Sequence, residues 1–155
     1  MISARIRSPE NNEKHAYPSL GHIRLLTTSQ KKPLLSVKQR WRSLGDDRLC
    51  VSVICEAEVL RGLEQRQSKG LWHAYTSLLQ DRLPLLAADL QVAQAYAKLA
   101  AQSRSQGTPR TPFDLLIAAT ARVHRLTVAT CNARDFHGLD GVIVEDWSTG
   151  PIHHR

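Results

Sequence analysis

Apolar residues in this chain follow two alternating patterns: short continuous runs, and stripes at intervals of three and four. The densest block begins just after Thr111. Leu115, Leu116, Ile117, Ala118, Ala119, Ala121 and Val123 leave almost no polar face, which predicts a helix covered on several sides. Pro112 stands in its first turn, where a helix accepts proline. Leu126 to Thr130 follows at once, short, apolar and β-branched, the composition of a buried parallel strand.

The same two patterns cover most of the chain. Continuous apolar runs predict strands over 48–54, 83–87, 126–130 and 142–145, with a further short one over 23–28. Between them lie helical spacings. Leu34, Val37, Trp41 and Leu44 form a stripe over 34–44, and Gly45-Asp46-Asp47 closes it with turn chemistry. A helix is expected over 56–67 and another over 70–80, the second turning Trp72, Tyr75 and Leu79 inward. Asp89 is a natural N-cap for the next, with Ala93, Tyr96, Ala97 and Ala100 on one stripe. Strands alternating with helices predict an α/β fold, a mostly parallel sheet with helices on both faces. Residues 1–22 are polar, contain Pro9 and Pro18, and follow neither period; they read as an irregular segment, with a domain over 23–148 and a tail over 149–155.

Composition narrows the classes. With 155 residues, 42% hydrophobic and 23% charged, the chain fits one globular domain with a core of its own. No apolar run approaches the roughly 20 residues of a membrane span, and the first thirty residues lack the apolar core of a secretory signal. Cys50, Cys55 and Cys131 have no metal-ligand spacing and read as buried free thiols, which points to the cytoplasm. The net charge of +7 lies entirely in residues 1–45, where nine Lys and Arg face Glu10 and Glu13; the remainder carries twelve basic and twelve acidic side chains. That basic arm is either an RNA-phosphate contact or the solvated face of an irregular tail.

Three stretches then resemble one family. Ser52-Val-Ile-Cys-Glu-Ala-Glu58-Val-Leu-Arg-Gly62 sets an acid four residues before a glycine. Thr111-Pro-Phe-Asp114 precedes Leu115-Leu-Ile-Ala-Ala-Thr-Ala121, and Thr130, Asn132 and Asp135 lead to the closing Gly141-Val-Ile-Val-Glu-Asp-Trp147. In this order, over roughly residues 46 to 148, they resemble the PIN-domain ribonucleases, in particular the VapC toxins of bacterial toxin–antitoxin pairs. The resemblance implies a three-layer PIN-like fold and a metal-dependent endoribonuclease neutralised by a VapB-like antitoxin, with a second copy of the chain as a further partner. It also implies a site in which Glu58, Asp114 and Asp135 bind Mg²⁺ or Mn²⁺ and act in catalysis, supported by Thr130 and Asn132. Arg110 and Arg134, flanking the acids, are candidate contacts for RNA phosphates.

The chemistry suits such residues. Clustered carboxylates repel one another and hold together around a hard divalent cation, which polarises a phosphodiester and a water. Each residue also has a plainer reading. Glu58 can be a solvated helix glutamate; Glu56, two residues away, points elsewhere on the same helix. Asp114 sits in a capping-box arrangement with Thr111, where the helix dipole favours an acid. Asp135 can be a loop N-cap. Gly62 is expected to admit a close approach by backbone or substrate.

One departure from the family pattern bears on function. PIN ribonucleases begin with a strand ending Leu-Leu-Asp-Thr-Asn, whose aspartate binds metal. Here the local match is Leu25-Leu26-Thr27-Thr28-Ser29, and counting back from Glu58 by the family's interval lands near His22. Neither Thr27 nor His22 is a carboxylate. The alternatives are therefore an impaired ribonuclease, an inactive PIN domain that still binds antitoxin, or an RNA-binding protein acting through its basic arm.

Overall fold

The structure is a computed structural model that describes residues 24–26, by their backbone, and 35–149. The basic segment 1–22, His22 and Thr27 lie outside the described residues, as does the tail beyond Thr149.

Five strands form one sheet: β1 (Arg24–Leu26), β2 (Leu49–Ser52), β3 (Leu85–Leu86), β4 (Thr127–Thr130) and β5 (Ile143–Asp146). Their order is β3-β2-β1-β4-β5 and every neighbouring pair is parallel. The first strand in sequence is thus the middle one in space, with Leu25 in register with both Cys50 and Val128. Helices α1 (Leu35–Leu44), α2 (Val53–Arg66), α3 (Lys69–Leu78), α4 (Leu90–Ser105) and α5 (Pro112–Val123) make the connections.

Side chains alternate across a strand, and adjacent residues here join different clusters. Cys50 and Val128 belong to a large one with Val92 and Leu99 of α4 and Leu115, Ile117, Ala118 and Ala121 of α5. Leu49 and Ala129, one residue along, join a smaller one with Trp147 and with Val37, Trp41 and Leu44 of α1. The sheet is covered on both faces, so all four residues of β4 are buried. The α/β reading with a parallel sheet between helical layers is what the structure has.

Local chemistry explains where the elements start. Ser52 ends β2 because its buried hydroxyl accepts the Cys55 N–H at 3.1 Å and caps α2. The strand expected over 48–54 therefore stops at Ser52, and the helix expected from Glu56 begins at Val53. Asp89 caps α4 as expected, its carboxylate accepting the Val92 N–H at 2.9 Å. The buried stripe of α4 is shifted from the expected one. Val92, Leu99 and Ser103 are buried with Tyr96 and Ala100 partly so, while Ala93 and Ala97 face out, because larger side chains recover more apolar area than alanines. Tyr75 is buried as expected, whereas Leu79 is 49% exposed, since α3 ends at Leu78 and the backbone leaves helical geometry at Leu79. The strand expected over 83–87 is reduced to Leu85–Leu86.

None of the three cysteines forms a disulfide; Cys50 and Cys55 are buried and Cys131 is partly so. Burial pushes the Cys50 thiol up to about 12 and Cys55 up to about 11, so both are unreactive core atoms. Among the described residues no helix is long and apolar enough to cross a membrane.

Candidate active site

The carboxyl ends of parallel strands are where loops and helix starts converge, and the candidate acids lie there. Glu58 is in the second turn of α2 and Asp114 in the first turn of α5; both are half-buried, and the two helices pack together. Burial pushes the Glu58 carboxyl above its ordinary value; the Asp114 charge pushes it further, and the Arg61 guanidinium opposes both. The two carboxylates are thus near enough to repel.

Each is held. The Thr111 hydroxyl donates to Asp114 Oδ2 at 2.5 Å while accepting the Asp114 N–H at 3.1 Å, closing the capping box its sequence suggests. Pro112 at the first helical position leaves the start of α5 short of one unpaired donor. On α2, Glu56 accepts a hydrogen bond from the Tyr75 hydroxyl and ties α2 to α3. The two glutamates therefore divide the work: Glu56 is a helix–helix link and Glu58 faces Asp114. Gly62, one turn on from Glu58, does not serve a close backbone approach, because a Cβ built there meets nothing within 4 Å among the described residues.

The loop after β4 is arranged differently. Thr130 is buried, its hydroxyl accepting the Asn132 N–H at 3.0 Å and its carbonyl accepting the Trp147 N–H at 2.8 Å. The Asn132 amide donates to Asp135 Oδ2, and Arg134 Nε donates to Asn132 Oδ1 at 3.1 Å. Asp135 is thus bonded within its own loop. Arg110 is likewise engaged: its guanidinium donates to the His137 carbonyl at 2.5 Å and to Thr108 O at 3.3 Å, pinning the α4–α5 loop to the segment after Asp135.

Among the described residues no three His, Cys, Asp or Glu side chains come together in a group that could hold a metal ion. Glu58 and Asp114 are a pair of hard oxygen donors whose repulsion a cation would relieve. Mg²⁺ is commonly held by one or two carboxylates and completes its shell with water and phosphate oxygens, so the pair fits such an ion.

Sequence reasoning passed over two groups. Arg61 lies over the Phe113 ring, 5.8 Å from its centroid, and so bridges α2 to the residue beside Asp114. Its only signal in sequence is its place three residues after Glu58, which puts both on one helix face. Asp146 ends β5 opposite Thr130, its carboxyl held below the usual range by the Ser148 hydroxyl and backbone N–H, with His137 and Arg40 contributing.

The model of the PIN domain matches residues 23–142. This chain belongs to the PIN-domain family. The match takes in β1, upstream of the point near residue 46 where the motif resemblance fades. Among curated PIN relatives, the tRNA(fMet)-specific endonuclease VapC of Shigella flexneri is 32% identical over 121 residues, covering 78% of this chain and 90% of the relative. Solved structures agree. The DNA-bound VapBC of Salmonella typhimurium superposes with a TM-score of 0.70 at 30% identity, covering 81% of this chain and 98% of its counterpart. FitAcB from Neisseria gonorrhoeae gives 0.72 at 26% identity, with coverages of 81% and 99%.

Proposed function

We propose that this PIN domain is a VapC-like toxin, an endoribonuclease that uses Mg²⁺ or Mn²⁺ at Glu58 and Asp114 and is neutralised by a VapB-like antitoxin. The observation that carries the reading is the placement of Glu58 on α2 and Asp114 on α5, two packed helices at the carboxyl end of the sheet, near enough for the Asp114 charge to act on Glu58. Relatives named endonuclease and neighbours solved as VapBC complexes support the activity, the antitoxin partner and an RNA substrate, tRNA being the first class to test. Self-association is part of the same proposal.

Hydrolysis forms a bond from a water oxygen to phosphorus and breaks one P–O ester bond, whose oxygen leaves with a proton. When bound, the ion supplies the Lewis acidity that polarises the phosphate and acidifies the water. The chain contributes orientation and charge. Thr111 fixes the Asp114 carboxylate, and Gly62, one turn on from Glu58, keeps a side chain out of the phosphodiester's way. Asn132, held by Asp135 and Arg134, offers an amide to orient a water or phosphate oxygen. Thr130 supports that loop from below.

The inactive-domain reading draws on one observation: the residue following β1 is Thr27, not a carboxylate. A hydroxyl offsets little of a divalent ion's charge. The test is cleavage of total tRNA by purified protein with Mg²⁺, with EDTA, and by Asp114→Asn. The ribonuclease reading expects Mg²⁺-dependent fragments that EDTA and Asp114→Asn both remove. Intact tRNA in all three lanes leaves the inactive domain as the function.

A further inference from the structure

The chain has two phenylalanines, and they are treated oppositely: Phe136 is 2% exposed in the core, whereas Phe113 is 42% exposed beside Asp114. A single exposed aromatic is ordinary. Phe113 is distinguished by its company. Arg61 covers one side of the ring from α2, at 5.8 Å from the centroid, while much of the ring remains open to solvent. Gly62, next to Arg61, adds no side chain there, and a Cβ at that position would meet nothing within 4 Å among the described residues. A cation and an exposed aromatic ring therefore lie together beside Asp114.

We propose that Phe113 and Arg61 form a docking platform for single-stranded RNA, Phe113 stacking an unpaired base and Arg61 contacting a phosphate next to it. The inference deepens the ribonuclease reading and rests on it for the choice of ligand. A base in a duplex is stacked on both sides and cannot lie on a side chain, whereas an unpaired base presents its face to any aromatic. The platform would thus select unpaired segments and set the distance between the stacked base and the phosphate brought to Glu58 and Asp114.

The test is binding in EDTA, where no metal-dependent cleavage intervenes. Fluorescence anisotropy would follow a labelled single-stranded 12-nucleotide RNA and the same strand in a duplex, with full-length protein. Phe113→Ala is expected to weaken single-strand binding about five- to a hundredfold and to leave duplex binding unchanged. Phe113→Tyr should restore it, showing that the ring and not the fold is responsible, with thermal melting as a check on folding. Arg61→Gln should lower the slope of log affinity against log salt by about 0.7, the loss of one phosphate contact to a single strand. Single-strand affinity within twofold of wild type for Phe113→Ala, equal losses for strand and duplex, or no RNA binding by the wild type would each overturn the platform. The two readings fail separately. Phe113-dependent binding without cleavage keeps the platform and removes the nuclease, and cleavage with Phe113-independent binding does the reverse.

Discussion

The two acidic regions of this PIN domain handle charge in opposite ways. In the loop after β4, Asp135 is answered by Asn132, which is answered by Arg134, and Thr130 holds the backbone beneath them. Between α2 and α5, Glu58 feels both burial and the Asp114 charge, and the nearby Arg61 only partly offsets them. In the loop, the polar groups satisfy one another and fix the position of the Asn132 amide. An arrangement that leaves two like charges near one another has a cost in stability, and it becomes favourable when a cation arrives. Both regions contain an aspartate near a strand or helix end, and only the repulsion separates them.

The largest effect tests that distinction directly. Asp114→Asn should lower RNA cleavage by more than about 100-fold, because even residues that merely support a metal ligand cost ten- to a hundredfold. Asp135→Asn should cost less than about tenfold. Equal losses would show that the loop acid belongs to the metal site and that the contrast is false.

Metal binding is the next largest. Mn²⁺ at a hundredfold excess over its Kd should stabilise the fold by about 2.7 kcal/mol, a rise in Tm on the order of 5–10 °C. Glu58→Gln combined with Asp114→Asn should abolish the rise, and Asp135→Asn should retain it. Differential scanning calorimetry reads both.

A third charge should then sharpen the contrast. Thr27→Asp is expected to tighten Mn²⁺ binding about tenfold in calorimetric titration, and to do much less in an Asp114→Asn background, since ligands of one ion are coupled. A gain from His22→Asp in place of Thr27→Asp would move the first-strand position upstream.

The smallest effect is on pH. Glu58 titrates above its ordinary value when folded, so the folded chain holds that proton more tightly than the unfolded one. The stability linked to it is complete below the unfolded pKa, about 4.3, and is lost as pH rises through the folded pKa. Glu58→Gln should therefore raise Tm at pH 7–8 by about a degree or two, because half-exposed charges interact at under about 1 kcal/mol. At pH 4 the variant and the wild type should melt together, and a gain that persists there would assign it to packing instead.

Much of this was legible in sequence where one residue carries its own cause. Asp89 as an N-cap, Thr111 with Asp114 as a capping box, and the unbroken apolar run of α5 need no knowledge of their neighbours. The stripe of α4 was misplaced by one residue because alanines at a regular spacing look like a core face until a larger Val92 and Leu99 compete for the same space. The start of α2 was hidden for a different reason: Ser52 both ends a strand and caps a helix, and hydrophobic periodicity cannot see a hydroxyl. In the site, the division between Glu56 and Glu58 followed from helix geometry, but the Tyr75 partner that decides it lies on another helix. Arg61 over Phe113 was invisible because that contact joins residues about fifty positions apart, and local spacing carries no information at that range.

The middle strand of the sheet has a consequence for the order of events in folding. β1 needs β2 on one side and β4 on the other, and β4 is made about a hundred residues after it. During synthesis β1 and β2 can pair early, but one edge of β1 stays open until nearly the whole domain has left the ribosome. The closing contact is therefore the one of longest range, and within the sheet the two halves, β3-β2 and β4-β5, are joined through β1, which is described over three residues. A chain that stalls before Thr130 is released with a bare strand edge in its centre, a ready template for pairing with another chain.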